Sequence, residues 1–496
     1  MAREVFLYLI IAENTKSFET NFKKKSEVYN QLKMDSEEER LLPPKTLPIS
    51  DHSISFQQLI FVIILTLPTL PAGMSIGFAG IALPELNLNL EQTSWFTSLP
   101  TIGAVLGNIL TGFVIDRCGR KKAFFVNTIP AFIGFAFLAL AGPLQVEYLN
   151  IGQLCAGISQ GAVIYVTTVY IAESMAPDNL HFRSSWASWN MLGIIFGITL
   201  TYVLGYFFYY DGVALIAASI ALISSLLLLV FVPESPAWLD QRGRFIEAQQ
   251  ARFRLGCKHT LTKNVTIGDN VTPQDNFSSH LLKVKRKDVH KPLLIAVTYF
   301  FFQQFSGIQI YSAHMVEIIS VKSLAIDSYL TTLICGLIMI LGQISYTSFL
   351  PKLGVRKIAI ISSMLTSLAT LVLAICIHLS DIETDSEYAH VVDYIHIVSV
   401  WCIVFFSALG IATVPYAILG EIFPADAKGF ASVSIFCMSV FFFINLQIYP
   451  RAVVLSSYGI FYAYAVVGFL AVPFVYCCIP ETVGRTLEQV SSHYSS

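Results

Sequence analysis

Apolar residues dominate this chain in long runs that are separated by short polar segments. A helix of about twenty apolar residues crosses the hydrocarbon core of a bilayer, whereas buried helices and strands of soluble proteins have shorter apolar runs. The pattern predicts twelve spanning helices, at 57–83, 94–115, 123–142, 148–172, 184–209, 213–232, 293–316, 327–350, 358–378, 397–420, 430–450 and 456–479. We therefore expect an all-α membrane protein.

The composition argues against the main alternative, a large soluble enzyme. Hydrophobic residues make up 55% of the chain and charged residues only 13%, about half the charged share of a soluble protein. The formal net charge of −2 gives no reason to expect a nucleic-acid partner. The nine cysteines show neither metal-ligand spacing nor a disulfide pattern. We expect no cofactor, no metal and no catalytic activity.

Basic residues indicate which ends of the spans face the cytosol. Lys and Arg collect in the loops after spans 2 and 8 and in the long segment 233–292. The loop after span 9 has no Lys or Arg but five acidic residues, Asp381, Glu383, Asp385, Glu387 and Asp393. Because cytosolic loops are enriched in Lys and Arg, both termini are predicted to be cytosolic. The sequons at Asn264, Asn270 and Asn276 then lie inside and are predicted to carry no glycan.

The chain divides into two similar halves of six spans. We expect an N-terminal tail at 1–55, a first bundle at 56–232, a linker with short helices at 233–292, a second bundle at 293–479 and a C-terminal tail at 480–496. Span 6 ends in Pro233-Glu234-Ser235 and span 12 ends in Pro480-Glu481-Thr482. The loop motif that begins at Gly112 has a partial copy at 352–356. Parallel six-span repeats are typical of transporters that hold a solute between their halves.

Four motifs, each at a predicted span boundary, carry a resemblance to a known family. They are Gly112 to Lys121, Pro233-Glu-Ser-Pro-Ala-Trp-Leu239, Gln303-Gln304-Phe-Ser-Gly307 and Pro480-Glu-Thr-Val-Gly484-Arg-Thr-Leu487. In this order they resemble the sugar porter family of the major facilitator superfamily. Within it, the first span, with Gly73-Met-Ser75 and Ala82-Leu83, and the Gln303-Gln304 motif most resemble the insect facilitated trehalose transporters. The resemblance implies a multi-pass plasma-membrane carrier that works by alternating access, and we expect a monomer.

The resemblance also implies a set of ion pairs at the cytosolic span ends, which we call the charged latch. Such pairs hold the cytosolic side shut when the outer side is open. The alternative is a solvated set of loops whose cations only fix orientation. The predicted latch residues are Asp116, Arg117, Arg120, Glu173, Arg183, Glu234, Lys352, Arg356, Glu421, Lys428 and Glu481.

The interiors of the predicted spans lack Asp, Glu, Lys and Arg. Transport of protons or cations normally needs an acidic residue inside the membrane. Proton-coupled sugar porters have such an Asp in the first span, where this chain has Ser75. This favours passive, uncoupled carriage of a neutral solute.

Neutral amide, hydroxyl and aromatic side chains are candidates for binding that solute. They can bond to sugar hydroxyls and stack on a sugar ring, although helix–helix hydrogen bonds recruit the same residue types. The candidates are Gln303, Gln304, Gln309, Tyr311, Asn190, Tyr416, Gln160 and Ser439.

Several of these positions depart from the family's usual residues, which leaves the solute open. Gln309 stands where the family has Asn, Tyr416 where it has Trp, and Met191 where it has a span 5 Gln. Trehalose or a hexose is the leading expectation, although these changes disfavour glucose itself. A carrier of another neutral solute, such as a polyol, and a non-transporting sugar sensor are the alternatives.

Overall fold

The first six predicted spans form six consecutive helices in the computed structural model of the protein. The structure describes residues 61, 63–142, 145–174, 180–255, 286–320, 327–382, 389–423 and 430–481. Because lipid offers no hydrogen-bond partners, each helix satisfies its backbone groups internally. The helices of this first half are α1 Thr69–Leu86, α2 Leu90–Cys118, α3 Arg120–Leu140, α4 Val146–Ser174, α5 Leu180–Phe207 and α6 Tyr210–Phe231.

Helices α2 and α4 pack against each other through glycines. Gly103 and Gly107 of α2 lie against the backbone of α4, and Gly157 and Gly161 of α4 lie against the backbone of α2. At each position a Cβ atom would collide with a main-chain carbonyl of the other helix. Small residues four apart allow this close approach inside a membrane. The α2–α4 contact therefore tolerates no larger side chain at these positions.

Two short helices, α7 Pro236–Gln241 and α8 Phe245–Arg254, follow the first half. Ser235 caps α7, since its hydroxyl accepts a hydrogen bond from the Trp238 backbone N–H at 3.4 Å. The second half then contains α9 Lys287–Phe305, α10 Ile308–Ala313, α11 Met315–Ile319, α12 Ser328–Leu353, α13 Val355–Ile382, α14 Ala389–Phe406, α15 Val414–Ile422, α16 Phe430–Leu455 and α17 Gly459–Cys478.

Two spans that were predicted as continuous helices are broken in the structure. Span 7 consists of α9, α10 and α11, with Gly307 at φ 82° after the first break. Span 10 consists of α14, a π-helical turn over Ser407–Ile411, and α15. The Ser362 hydroxyl of α13 stabilises this turn: it donates to the Phe406 carbonyl at 2.6 Å and accepts from the Ile411 N–H at 2.7 Å. A side chain inserted in this way frees backbone groups for other contacts.

The structure accounts for all twelve predicted spans. Ten helical stretches of the described chain, span 10 with its π-helical turn among them, are long and apolar enough to cross a membrane. Helix α2 and the segmented α9–α11 occupy the other two predicted positions. The described ranges contain no β-strand. The expectation of an all-α membrane protein is confirmed.

Asp393 differs from its predicted position. It was placed in the acidic loop before span 10, but it lies on the first turns of α14 and is only 3% exposed. His396, three residues later on the same face, is 6% exposed. The prediction failed because the apolar run was taken to begin at 397, after both polar residues. One acidic residue is therefore buried in a membrane-spanning helix.

Some predictions concern residues outside the described ranges. The three sequons lie between 256 and 285, and residues 1–55 form the predicted N-terminal tail. The predicted domain boundaries and the absence of glycan stay predictions.

Candidate functional site

Glu234 binds the start of α3 at one end of the membrane domain. We call this end, which carries Gly119 and Gly354, the motif end. The Glu234 carboxylate accepts hydrogen bonds from the backbone N–H groups of Arg120 at 2.8 Å and Lys121 at 3.1 Å. A carboxylate is favourable here because the first N–H groups of a helix lack partners and carry partial positive charge. Gly119 has φ 88°, and a Cβ atom there would lie 2.5 Å from the Glu234 carboxylate, so this approach requires glycine.

Glu481 repeats this arrangement in the second half. Its carboxylate accepts from the N–H groups of Val355 at 2.9 Å and Arg356 at 3.4 Å, at the start of α13. Gly354 has φ 78°, and a Cβ atom there would collide with the Glu481 carboxylate. The partial sequence copy at 352–356 therefore preserves the glycine and the carboxylate contact of the first half.

Arg120 and Glu173 form a two-bond ion pair inside the first half. Arg120 Nε lies 2.8 Å from Glu173 Oε2, and Nη2 lies 2.5 Å from Oε1. The side chains are only 6% and 18% exposed. The Ser235 hydroxyl donates to Glu173 Oε2 at 2.5 Å, and the Tyr170 hydroxyl donates to the Pro233 carbonyl at 2.7 Å. These contacts join α3, α4 and the segment after α6.

The other latch residues have different surroundings. Arg117 and Lys352 are exposed. The Arg356 guanidinium lies 4.8 Å above the Tyr476 ring and donates to the Tyr476 carbonyl. Asp116, Arg183 and Glu421 occupy helical positions whose side chains the structure does not describe, and Lys428 lies outside the described residues. The charged latch as a device for closing the transporter stays a prediction.

Hydrogen bonds between the halves occur towards the other end of the bundle, which we call the opposite end. Gln447 of α16 donates to the Ser98 hydroxyl of α2 at 2.8 Å. Tyr202 of α5 donates to the Ser312 carbonyl of α10 at 2.9 Å, and the Thr199 hydroxyl donates to the Gly336 carbonyl at 2.8 Å. The Trp95 and Phe443 rings lie 6.2 Å apart in the same region. These contacts close the two halves against each other at the opposite end.

A narrow cavity lies between the halves. Its volume is about 20 Å³. The first half contributes a mixed wall, and the second half contributes two apolar residues. The lining consists of Ser75, Ile76 and Ala79 of α1, Thr97, Pro100 and Thr101 of α2, Gln160 of α4, Ala313 of α10 and Phe442 of α16.

Gln160 is the predicted solute-binding residue that lines this cavity. Gln303 and Gln304, at the end of α9, are fully buried. Gln303 Nε2 donates to the Ala412 carbonyl at 2.7 Å, which joins the breaks in spans 7 and 10. Gln304 Nε2 lies 3.3 Å from Gln303 Oε1, and Gln304 Oε1 is buried without a hydrogen-bond partner. Gln309 is half-buried on α10.

The remaining candidates contact neighbouring helices or their own. The Tyr311 ring stacks 6.2 Å from Phe461, and its hydroxyl lies 3.4 Å from that of Thr370. The Asn190 amide lies 3.5 Å from the Ile164 carbonyl. The Tyr416 hydroxyl lies 3.8 Å from the Met438 sulfur, and the Ser439 hydroxyl donates to the Ile435 carbonyl at 3.1 Å. Helix–helix packing, the structural alternative, accounts for these contacts, and solute binding by these residues stays a prediction.

Sequence reasoning missed Thr97, Thr101 and Phe442 as cavity residues. Ser75 was noted only as a neutral replacement for an acid. The spacing of two of these residues could have indicated a polar helix face, because Thr97 and Thr101 are four residues apart and therefore share one face of α2. Their exposure to the cavity depends on how α2 and α4 pack, which no short motif reveals.

Buried ionisable residues also occur near the opposite end of the second half. His396 Nε2 lies 2.9 Å from the Ile318 carbonyl at the end of α11, and Asp393 is buried three residues before it on α14. His314 Nδ1 lies 2.7 Å from Glu317. None of these residues is part of the cavity lining.

Several known proteins are similar to this chain. The family model described as "Sugar (and other) transporter" matches residues 14–494. Sugar transporter ERD6-like 6 of Arabidopsis thaliana is 30% identical over 462 residues, a match that covers 90% of this chain and 91% of the relative. Facilitated trehalose transporter Tret1 of Apis mellifera ligustica is 24% identical, with 88% of each chain covered. Facilitated glucose transporter member 8 of solute carrier family 2 from Bos taurus is 26% identical, with 85% of this chain and 91% of the relative covered.

Solved structures show the fold. The proton:xylose symporter XylE bound to 6-bromo-6-deoxy-D-glucose aligns with a TM-score of 0.68 at 22% identity, over 88% of this chain and 100% of that chain. The inward open conformation of XylE from E. coli aligns with a TM-score of 0.65 at 22% identity, over 88% and 100%. The fold is therefore the major facilitator fold, with twelve helices in two six-helix bundles.

Proposed function

We propose, from the premise that this chain belongs to the Sugar (and other) transporter family, that it carries a neutral sugar passively by alternating access. The chain is a membrane transporter of sugars and not an enzyme. The finer proposal is facilitative flux of trehalose or a hexose. Two of its relatives are named as facilitated transporters, one of trehalose and one of glucose.

The cavity between the halves is the observation that supports this proposal. Its polar lining residues are hydroxyls and an amide, and its described lining includes no ionisable side chain. Neutral groups of this kind exchange hydrogen bonds with sugar hydroxyls without favouring a charged solute. The Phe442 ring offers an apolar face for the C–H side of a sugar ring.

The position of Asp393 favours uncoupled transport in spite of its burial. A coupling acid must exchange its proton with each side of the membrane in turn as the solute moves. Asp393 lies on the first turns of α14, three residues before His396, whose ring contacts the Ile318 carbonyl of α11, and it is apart from the cavity lining. Ser75, in contrast, lines the cavity, and its hydroxyl does not ionise and so cannot take up and release a proton. We therefore propose flux down the sugar gradient without proton coupling.

The basic loops support an orientation with the motif end and both termini in the cytosol. In that orientation the structure corresponds to a conformation closed towards the outside, because Gln447, Tyr202 and Thr199 join the halves near the opposite end. We propose the plasma membrane as the location and a monomer as the working unit.

Uptake of labelled trehalose, D-glucose and sorbitol into oocytes at two external pH values tests the proposal. We expect saturable sugar uptake that never exceeds the external concentration at either pH. Asp393→Asn is the matched control, since proton coupling through this residue would give accumulation that the variant loses. Accumulation driven by an inward proton gradient would refute uncoupled transport. Uptake of sorbitol alone would favour a polyol carrier, and no flux of any solute would favour a sensor.

A further inference from the structure

The break between α9 and α10 removes the usual helical partners of two backbone carbonyls. In a continuous helix, the carbonyls of Gln303 and Gln304 would accept hydrogen bonds from the N–H groups four positions later, but α9 ends at Phe305. The Ser306 hydroxyl donates to the Gln303 carbonyl at 2.8 Å. The side-chain amide of Asn445, on α16, donates to the Gln304 carbonyl at 2.7 Å. Because an unpaired backbone group inside a membrane is costly, these side chains stabilise the broken form of span 7.

Asn445 is itself held by α17. The Tyr464 hydroxyl donates to Asn445 Oδ1 at 2.8 Å, so both ends of the Asn445 amide are bonded. The Tyr464 ring lies against Gly307, the residue with φ 82° at the break, and a Cβ atom there would lie 2.5 Å from the ring. Asn445 is 1% exposed and Tyr464 is 3% exposed. Two buried side chains from two helices therefore contact the backbone where span 7 is broken.

The segment after the break contacts the other half of the molecule. The Ser312 carbonyl of α10 accepts from the Tyr202 hydroxyl of α5 at 2.9 Å. A Cβ atom at Gly80 of α1 would lie 2.8 Å from the same carbonyl oxygen. The break thus separates α9, bonded to α16 of its own half, from α10, which lies against the first half. To open the opposite end, α10 must leave α1 and α5, and the backbone at the break is where it can bend.

We infer that Asn445 and Tyr464 are positioning residues that hold the break in span 7, and with it α10, in the conformation closed at the opposite end. They act through the Gln304 carbonyl and the backbone at Gly307, and the inference gives them no contact with the solute. It rests on alternating access in the proposed orientation, but it is independent of which solute is carried.

Labelling of a cysteine between the halves measures the opening directly. Thr97→Cys places a thiol on the cavity lining, and an impermeant thiol reagent applied outside intact oocytes reaches it when the outer side opens. Asn445→Leu keeps the size of the side chain and leaves the Gln304 carbonyl without its amide donor. We expect Asn445→Leu to raise the labelling rate per surface molecule at least about fivefold, since loss of a partner for a buried acceptor weakens the closed state.

Tyr464→Phe is the milder variant, because it keeps the ring against Gly307 and removes the hydroxyl. We expect it to raise the labelling rate about three- to tenfold. Tyr299→Phe is the matched control. Tyr299 lies on α9, is 0% exposed, and has a buried hydroxyl without a hydrogen-bond partner among the described residues. It should leave the labelling rate unchanged.

The double variant Asn445→Leu with Tyr464→Phe tests whether the two residues act through one contact. Its labelling rate should exceed that of Asn445→Leu by no more than about twofold, because Tyr464 acts by holding Asn445. The native Cys335 and Cys376 are buried and report general loosening of the helices. Labelling of each variant without the Thr97→Cys change should therefore stay at the background of the wild type.

The outcomes separate this inference from the proposed function. Surface-expressed Asn445→Leu and Tyr464→Phe that label at the rate of Thr97→Cys alone would overturn the inference, as would an equal rise in Tyr299→Phe or in the background labelling. If Asn445→Leu does not reach the surface, Tyr464→Phe decides alone. Uptake of D-glucose and trehalose is measured on the same oocytes, and its absence in the wild type would refute the proposed function while the labelling rates still test the hinge.

Discussion

The Arg120–Glu173 ion pair gives a sharp prediction because the chain contains an exposed pair of the same geometry. In the buried pair, the two N–O distances are 2.8 and 2.5 Å, and the side chains are 6% and 18% exposed. In the Arg244–Glu247 pair of α8, the distances are again 2.8 and 2.5 Å, but the side chains are 50% and 51% exposed. The two pairs share their N–O distances and differ in burial, and the exposed pair is formed three residues apart along the chain whereas the buried pair joins α3 to α4.

Glu173→Gln removes one charge and leaves the Arg120 guanidinium buried beside a neutral amide. Removal of one partner from a buried pair typically costs about 3–5 kcal/mol of folding free energy. We expect the lower end, about 3 kcal/mol, because Arg120 also donates to the Ile115 carbonyl at 3.3 Å and Gln retains one acceptor. Glu247→Gln should cost only about 0–1 kcal/mol, since water screens and solvates the exposed pair.

Thermal unfolding of the purified protein in detergent measures both effects under one set of conditions. Glu173→Gln should lower the melting temperature at least three times as much as Glu247→Gln does. The double variant Arg120→Met with Glu173→Gln should lose less than the sum of its single changes, because no unpaired charge stays buried. Equal shifts for Glu173→Gln and Glu247→Gln would refute the argument from burial.

Three further variants test other parts of the structure. Gly354→Ala should destabilise the protein by more than about 1 kcal/mol in the same melting assay, because of its positive φ and its collision with Glu481; Gly112→Ala, with nothing within 4 Å of the added Cβ, is the control and should be neutral or stabilising. Gln304→Ala should reduce sugar uptake about three- to tenfold at normal surface expression if its unpaired Oε1 serves the solute, and unchanged kinetics would count against that assignment. Gln447→Leu removes the bond to Ser98. It should raise by about three- to tenfold the rate at which an impermeant thiol reagent labels the Cys introduced by Thr97→Cys, after background labelling of the protein without that Cys is subtracted. A rate equal to that of Thr97→Cys alone would contradict the role of Gln447 in closure.

The positions of the spans were predictable, but their breaks were not. Hydropathy detects apolar runs, and Gly307 lies within one just as Gly103 does. Gly103 stays helical against α4, whereas Gly307 adopts φ 82° between α9 and α10. The difference comes from tertiary packing, which the hydropathy of an apolar segment does not reveal. Asp393 was assigned to a loop for a related reason, since polarity alone marked the start of its span.

The solute site was less predictable than the motif end. The motifs at Gly119 and Glu234 have fixed spacings because a backbone contact requires a glycine and a carboxylate at set positions. The polar cavity residues need only face inward, so Thr101 and Thr111 look alike in the sequence. Which hydroxyl lines the cavity depends on the orientation of α2 against α4, and only the three-dimensional structure supplies it.

The two carboxylate contacts at the motif end have a mechanical consequence. Glu234 connects the end of the sixth span to the start of the third within one half, and Glu481 does the same within the other. Each half is thus tied across its motif end by a carboxylate contact. The two halves contact each other near the opposite end through neutral hydrogen bonds such as Gln447 to Ser98, each of which contributes about 1 kcal/mol. We expect these bonds to break and re-form individually while both carboxylate contacts stay intact.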